Sequence, residues 1–236
     1  MKYKRILLKL SGEALASSSG YGYDISRLAH FADEIMSVVE LSTEVGIVIG
    51  GGNLYRGISG KEKGIGRVRG DQMGMLATVM NGLALQDALY NKGLRSAVMS
   101  SIAAGSLTEP FNSTRAVQYL ESGIVVFMVG GTGNPFFTTD TAAALRAAET
   151  GADVLIKGTR VDGVYSDDPE THPEARKYET ITMTHAYESG LKVMDLTAFT
   201  ICRENKIPIH VLNVNEKGNL KKAVTGEHTG TYVKAV

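Results

Sequence analysis

Ile124-Val-Val-Phe-Met-Val-Gly-Gly-Thr-Gly-Asn-Pro-Phe-Phe-Thr-Thr-Asp140 is the stretch of sequence on which the fold prediction rests. Its apolar first part, residues 124–129, has the length and the Val-rich composition of a strand that is covered on both faces. A glycine-rich turn follows, and Thr138, Thr139 and Asp140 are of the residue types that begin a helix. The stretch therefore predicts a strand that ends in an open loop before a helix.

Strands that end in glycine or small polar residues are predicted at three other places. Their ends are Lys9-Leu-Ser-Gly12, Gly50-Gly-Gly-Asn53 and Lys157-Gly-Thr159. In open α/β sheets, ligands bind beyond the carboxyl ends of the strands, where unhindered N–H groups and helix N-termini favour phosphate. One such loop is expected in any β-to-α turn, because these turns need glycine and capping residues. Four together favour an anion site at one edge of the sheet.

Apolar runs of strand length alternate with segments of helical period along the whole chain, which predicts an α/β fold with a mostly parallel sheet. The predicted strands cover residues 3–10, 45–49, 96–100, 124–129, 153–156, 208–214 and 231–234. The predicted helices cover residues 25–40, 71–91, 114–121, 141–149 and 196–205. No linker or internal repeat divides the chain, so residues 1–236 are predicted to form a single domain. Residues 167–177 are predicted as a surface excursion.

The composition excludes several classes of protein. The 236 residues include 25 Lys plus Arg, 25 Asp plus Glu and a single cysteine, Cys202. One cysteine cannot form an internal disulfide, and no apolar run approaches the roughly 20 residues of a membrane span. We therefore expect a cytoplasmic protein without a membrane partner. The balanced charge lacks the basic excess of a dedicated DNA or RNA binder, so nucleic acid is not an expected partner.

The standard nucleotide and metal motifs are absent from the sequence. Gly60-Lys61 is followed by Glu62 and cannot be a P-loop, and Gly131-Thr-Gly133 lacks the third glycine of a dinucleotide fingerprint. The protein-kinase motifs and the Gly-x-Ser-x-Gly elbow are missing. The five histidines are scattered and there is no cysteine pair, so no protein metal ligand is predicted.

Three charged residues and one basic segment have alternative interpretations from local sequence. Lys9 ends the first predicted strand, where its charge could meet a transferring phosphoryl group or could simply be at the surface. Asp140 and Asp195 each stand at the start of a helix, where an aspartate is often only a cap. The glycine-rich basic segment 56–69 is either a solvated loop or a lid that closes over phosphate.

Several segments resemble one known family. They include residues 3–15, 71–81 and 161–165, together with Val48-Ile-Gly-Gly-Gly-Asn-Leu-Tyr-Arg-Gly57, Gly131-Thr-Gly-Asn-Pro-Phe-Phe-Thr-Thr-Asp140 and Lys192-Val-Met-Asp195. On these residues, and essentially end to end, the chain is similar to the bacterial uridylate kinases of the amino acid kinase superfamily. The segment 132–140 separates this family from the acetylglutamate, glutamate, aspartate and carbamate kinases that share the fold.

The resemblance implies a three-layer αβα sandwich with a mainly parallel eight-stranded sheet, assembled as a homohexamer. It also implies transfer of the ATP γ-phosphoryl group to UMP, with Mg²⁺ as the cofactor, in pyrimidine nucleotide synthesis leading to CTP. The transfer would be direct and in line without a protein general base. The UMP phosphate is already mostly ionised at pH 7, because its second pKa is about 6.

The resemblance further implies roles for individual residues. ATP would contact Lys9, Leu10, Ser11, Gly12, Gly52, Arg56, Thr159, Tyr165 and Asp168. UMP would contact Gly51, Asp71, Thr132, Gly133, Asn134, Pro135, Phe136, Phe137, Thr138 and Thr139. The catalytic residues would be Lys9, Asp195 and Asp140, with the aspartates orienting the lysine and nearby polar groups. GTP would be an activator and UTP an inhibitor. The activator region would correspond to Ser17, Ser18, Ser19, Gly20, Tyr21 and Gly22, a stretch without the acidic residue of some relatives.

Two other functions remain open at this point. The chain could be another small-molecule kinase of the same fold, acting on a different acceptor. It could also be a non-catalytic nucleotide sensor or nucleic-acid-binding regulator that uses the basic segment 56–69. The presence of Lys9 and Asp195 favours the enzyme.

Overall fold

The computed structural model describes residues 2–55, 64–169, 171–191 and 193–235. The strands are β1 (Arg5–Leu10), β2 (Glu44–Ile49), β3 (Ser96–Ser100), β4 (Glu109–Pro110), β5 (Val125–Val129), β6 (Val154–Thr159), β7 (Val164–Tyr165), β8 (Lys177–Tyr178), β9 (Thr180–Thr182), β10 (Ile209–Asn213) and β11 (Thr231–Lys234). The central sheet has the order β4-β3-β5-β2-β1-β6-β10-β11-β9, and β7 pairs with β8 in a separate ribbon.

The central sheet is parallel except where β10 meets β11. It has nine strands in the described residues, one more than the eight that the resemblance implied. The very short β4 pairs with the end of β3 at one edge, and β9, three residues long, lies at the other edge. Strands of two or three residues contain no apolar run, so the sequence pattern could not indicate them.

Helices cover both faces of the sheet. They are α1 (Ile25–Val39), α2 (Arg67–Tyr90), α3 (Ser113–Glu121), α4 (Thr139–Thr150), α5 (Met183–Glu188), α6 (Leu196–Glu204) and α7 (Asn219–Thr225). Apolar residues of α1, α2 and α7 form one core cluster with the sheet. Those of α3, α4, α5 and α6 form a second cluster on the opposite face. The predicted αβα sandwich is therefore confirmed.

All seven predicted strands and all five predicted helices are present, with ends that differ by a few residues. The excursion predicted at 167–177 is confirmed as a mostly exposed connection between β7 and β8. The short helices α5 and α7 were missed, because fewer than eight residues give too little helical periodic signal. Residues 56–63 of the basic segment lie outside the described residues, and residues 67–69 begin α2.

The four glycine-containing loops share one edge of the sheet, as predicted. The strands that precede them, β5, β2, β1 and β6, are consecutive neighbours in the sheet order. Because these strands run parallel, their carboxyl ends open onto the same crevice. None of the helices in the described ranges combines the length and apolar composition needed to cross a membrane.

Candidate active site

Two lysines on the central strands lie at the middle of this crevice. Lys9 of β1 and Lys157 of β6 are register partners, and such partners in a parallel pair point to the same face of the sheet. Both side chains are largely buried, with 12% and 16% of their surface exposed. Two ammonium groups with so little access to water require an anion beside them.

Asp140, in the first turn of α4, supplies that anion. Its Oδ1 lies 2.8 Å from the Lys9 Nζ and its Oδ2 lies 2.9 Å from the Lys157 Nζ. Burial raises the pKa of the Asp140 carboxyl, but the two ammonium groups outweigh the burial and hold the pKa below its ordinary value. Asp140 is therefore ionised at neutral pH.

Lys157 is a functional candidate that the sequence analysis did not assign. Burial lowers the pKa of its ammonium group, and the attraction of Asp140 offsets this only in part, so the pKa lies below its ordinary value. A phosphate bound beside Lys157 would stabilise the charged form of its ammonium group. Lys157 is therefore suited to binding an anion. The available signal was a lysine on an otherwise apolar strand, β6.

Hydrogen bonds at the start of two helices fix the position of Asp140. The Thr138 hydroxyl caps α4 by accepting from the N–H groups of Asp140 and Thr141. Asp195 caps α6 by accepting from the Ala198 N–H at 2.9 Å. The same carboxylate accepts hydrogen bonds from the hydroxyls of Thr138 and Thr141. Asp140 thus contacts the lysines directly, and Asp195 joins the N-termini of α4 and α6 behind it.

The turns after β1 and β2 pack backbone against backbone. A Cβ on Gly12 would lie 2.5 Å from the Gly50 carbonyl oxygen, so only glycine fits there. Buried Asn53 and Asn81 exchange hydrogen bonds of 2.7 and 3.1 Å. Asn81 also donates to the Gly50 carbonyl oxygen at 2.7 Å. These contacts fix the direction of the peptide groups beside Lys9.

Three cavities that share lining residues lie along this edge of the sheet. The α2 cavity, about 500 Å³, lies against the first half of α2. The α1 cavity, about 930 Å³, lies between the two lysines and α1. The hairpin cavity, about 610 Å³, lies beside β7. Glu13 lines the α2 and α1 cavities, and Lys157 and Thr159 line the α1 and hairpin cavities, which places the lysines between two compartments.

Most of the residues predicted to bind UMP meet at the α2 cavity. It is lined by Gly51, Asp71, Thr132, Asn134, Phe137, Thr138 and Thr139 of that set, and also by Gly52 from the ATP set. Gly133, Pro135 and Phe136 belong to the same loop but do not line the cavity. Phe136 is 65% exposed.

Asp71 holds this loop as well as lining the cavity. Phe136 has a φ of 74°, a left-handed conformation that is unusual for a residue with a large side chain. Its N–H donates to the Asp71 Oδ2 at 2.7 Å. The Arg67 Nε donates to the same carboxylate at 2.8 Å, and its guanidinium lies 5.6 Å from the centre of the Phe136 ring. These partners were not evident from the sequence, since Asp71 and Phe136 are 65 residues apart.

Five of the predicted ATP-binding residues line the α1 cavity or the hairpin cavity. Ser11 and Lys9 line the α1 cavity, while Tyr165 and Asp168 line the hairpin cavity with the shared Thr159. The Tyr165 hydroxyl donates to Asp162, and this hydrogen bond raises the pKa of Tyr165 to about 12.

Leu10 and Arg56 are two further residues of the predicted ATP-binding set. The Leu10 side chain is fully buried in the core, so only its backbone can meet a phosphate. Arg56 lies outside the described residues.

The predicted regulatory loop contacts the glycine turn after β2. The Gly22 N–H donates to the Asn53 carbonyl oxygen at 3.0 Å, and the Asn53 side chain donates back to the Gly22 carbonyl oxygen at 3.0 Å.

Replacement Asp140→Asn should destabilise the protein by on the order of 3 kcal/mol at pH 7.5, because two buried ammonium groups lose their anion. The pKa of Asp140 is depressed in the folded state, so its contribution is present above the ordinary aspartate pKa of about 4 and is lost as the pH falls through the folded value. Urea unfolding from pH 7.5 to pH 3 should therefore show the two proteins converging in acid.

The matched control is Asp33→Asn, which removes a surface pair with Lys92. It should cost less than about 1 kcal/mol. An Asp140→Asn protein as stable as the wild type at pH 7.5 would contradict the structural role of the pair.

Comparisons with known proteins agree with this arrangement. The model of the amino acid kinase family matches residues 4–213. A uridylate kinase of Parabacteroides distasonis is 54% identical over 232 residues, which are 98% of this chain and 98% of that protein. A uridylate kinase of Bacteroides thetaiotaomicron is 52% identical over the same share of both chains. The solved UMP kinase of Bacillus anthracis is 40% identical, with a TM-score of 0.97 over 100% of this chain and 97% of that one. The chain therefore belongs to the amino acid kinase family, in the group of its uridylate kinases.

Proposed function

We propose that the chain transfers the γ-phosphoryl group of ATP to UMP, giving ADP and UDP. The observation that carries this proposal is the crevice with the Lys9–Asp140–Lys157 cluster between its two ends. One end has the residues predicted for UMP and the other has those predicted for ATP. The relatives named uridylate kinase support the choice of substrates.

The proposed chemistry is a direct transfer. A phosphate oxygen of UMP, in the α2 cavity, attacks the γ-phosphorus of ATP, and ADP leaves towards the hairpin cavity. The attacking oxygen is already ionised, so the site has to position the reactants and neutralise charge. Lys9 and Lys157 place two positive charges between the compartments, where negative charge accumulates in the transition state. Asp140 keeps both lysines oriented before the nucleotides arrive.

Mg²⁺ is the proposed cofactor; bound with ATP, it would supply positive charge that reduces the repulsion between the two nucleotides. This ion usually binds one or two carboxylates together with substrate phosphates and water. Glu13 is an exposed acidic residue that lines both the α1 and the α2 cavities, so its residue type and place fit that need. It would hold the ion or one of its waters. The remaining ligands would be phosphate oxygens.

The substrate assignment is tested by measuring ADP release from Mg-ATP with UMP, CMP, dTMP, acetylglutamate and carbamate as acceptors. We expect turnover with UMP far above that with every other acceptor. Preference for another acceptor would favour a different small-molecule kinase of this fold. Absence of turnover with all of them, together with salt-dependent retention of RNA or DNA, would favour the regulatory alternative.

Loss of either lysine should abolish most of the activity. Lys9→Ala and Lys157→Ala should each lower kcat by at least about 10² to 10³, the usual effect of removing one preorganised donor to the transition state. Lys4→Ala is the matched control, because Lys4 lies just before β1 with 75% of its side chain exposed. Near-normal kcat in Lys9→Ala, measured at saturating nucleotides, would exclude the proposed role.

Asp71→Asn should affect UMP more than ATP. The asparagine keeps an acceptor for the Phe136 N–H but loses the charge that faces the α2 cavity and pairs with Arg67. We expect the KM for UMP to rise at least about tenfold, the effect of losing one charge-assisted hydrogen bond. The KM for ATP should change much less, and equal effects on both would count against this placement of UMP.

A homohexamer is proposed as the assembled form, and an exposed apolar face of α2 supports self-association. Met73, Leu76 and Met80 follow one another at helical spacing and are 40%, 53% and 53% exposed. Leu76→Lys with Met80→Lys should therefore reduce the mass measured by light scattering, whereas Tyr187→Lys, on the exposed part of α5, should not. An unchanged mass in the double variant would mean that α2 is not an interface.

The regulation, the cellular location and the pathway of the reaction are also proposals. GTP activation would act through the loop of residues 17–22, whose contact with Asn53 gives it a connection to the turn beside Lys9. UTP is proposed as an inhibitor. Initial rates with and without each nucleotide test this, and unchanged rates would exclude it. We place the reaction in the cytoplasm and in pyrimidine nucleotide synthesis.

A further inference from the structure

Arg146 of α4 is a buried cation that the proposed chemistry does not use. Only 4% of its surface is exposed. Its guanidinium stacks on the Phe111 ring at 3.8 Å from the ring centre and pairs with Glu149, while its Nε is buried without a hydrogen-bond partner. Burial of an incompletely paired guanidinium is unfavourable compared with an apolar side chain of similar size. Packing alone therefore does not account for an arginine here, and its remaining hydrogen bond is to Ser101.

That contact leads to the loop that lines the α2 cavity. The Arg146 Nη2 donates to the Ser101 Oγ at 2.7 Å, and the Ser101 hydroxyl donates to the Gly131 carbonyl oxygen at 3.0 Å. A serine hydroxyl has one hydrogen. Because the guanidinium can only donate, the serine hydrogen is left for Gly131, and the charge at one end strengthens the second hydrogen bond.

The direction of the Gly131 carbonyl determines the direction of the next N–H. A trans peptide is planar, and its C=O and N–H point to opposite sides. When the Gly131 carbonyl faces Ser101, the Thr132 N–H therefore faces away from it. Gly131 and Thr132 both line the α2 cavity, and no atom of the described residues accepts a hydrogen bond from this N–H.

Gly131, on one side of this peptide, makes the rotation of the peptide less restricted. Gly130, Gly131 and Gly133 have φ values of 79°, 61° and 83°, and glycine has nearly equal access to the opposite sign of φ. Without an external contact, rotation about the Gly131 Cα–C bond would give the Thr132 N–H other orientations relative to the cavity. The hydrogen bond from Ser101 selects one of these orientations.

We propose that Arg146 and Ser101 form a positioning relay that aims the Thr132 N–H at an acceptor oxygen of the nucleoside monophosphate in the α2 cavity. The inference rests on the proposed function and names two further residues that control affinity for the acceptor nucleotide. Neither side chain lines the cavity, so both act through the Gly131–Thr132 peptide. The site for ATP, on the other side of Lys9, is outside their reach.

The test compares Ser101→Ala, Arg146→Met and the double variant with the wild type. KM for UMP, KM for ATP and kcat are measured, and UMP binding is measured by calorimetry without ATP. We expect each single variant to raise the KM and Kd for UMP about tenfold, the value of one well-placed hydrogen bond, with less than about a twofold change in the KM for ATP. The double variant should be no worse than the more affected single variant, since both residues act through one contact.

Two controls separate positioning from loss of stability. Ala147→Gly destabilises the same helix by about 1 kcal/mol without contacting Ser101, and it should leave both KM values unchanged. Ser101→Thr retains the hydroxyl and should restore UMP affinity. The relay would be overturned by equal increases in the KM for UMP and the KM for ATP, or by an unchanged KM for UMP in Ser101→Ala. A raised KM for UMP in Ala147→Gly would overturn it as well. A wild type that does not phosphorylate UMP would instead overturn the proposed function.

Discussion

The Asp140 carboxylate between Lys9 and Lys157 is the interaction on which the rest of the site depends. Two lysines at partner positions of adjacent parallel strands would repel each other in surroundings that exclude most water. One carboxylate in contact with both removes that conflict. It also preserves two cations at the carboxyl edge of the sheet, where the crevice opens. The cluster is neither neutralised completely nor exposed to solvent, so it remains attractive to an incoming phosphate.

The surrounding structure serves to hold that carboxylate and the peptide groups near it. Thr138 and Asp195 fix the start of α4, and the Asn53–Asn81 pair fixes the turn after β2. The two lysines outnumber the one carboxylate between them, so the cluster has a local excess of positive charge, while the whole chain has a formal net charge of zero. This distribution suits a protein that binds anions at one place and must release them, because affinity then depends on local geometry and less on long-range attraction.

Much of the fold was predictable because its signals are local. Apolar strand runs and glycine ends located β1, β2, β5 and β6, and helical spacing located the five longer helices. The very short strands and helices were not predictable, because they contain too few residues for a periodic pattern of apolar side chains. The resemblance to a known family supplied Lys9, Asp140 and Asp195 as site residues, and the structure brings all three to the start of α4.

The rest of the site depends on contacts between distant parts of the chain. Lys157 was not predicted as a site residue, because local sequence does not distinguish a lysine that points inward from one at the surface. Its pairing with Asp140 depends on the placement of α4 over β6. The links from Asp71 to Phe136 and from Arg146 to Ser101 join residues 65 and 45 positions apart. The direction of a side chain was also not predictable from a loop sequence. Leu10 belongs to the predicted phosphate loop, but its side chain is buried in the core.

Two nucleotides are proposed to meet at the Lys9–Asp140–Lys157 cluster, where a phosphoryl group passes directly from one to the other. The most direct test uses ATP that is chiral at the γ-phosphorus through oxygen isotopes, with UMP as the acceptor. A single in-line transfer inverts the configuration at phosphorus, and we expect inversion in the UDP formed. Retention would require two successive transfers through a phosphorylated protein side chain, and would contradict direct exchange across the cluster.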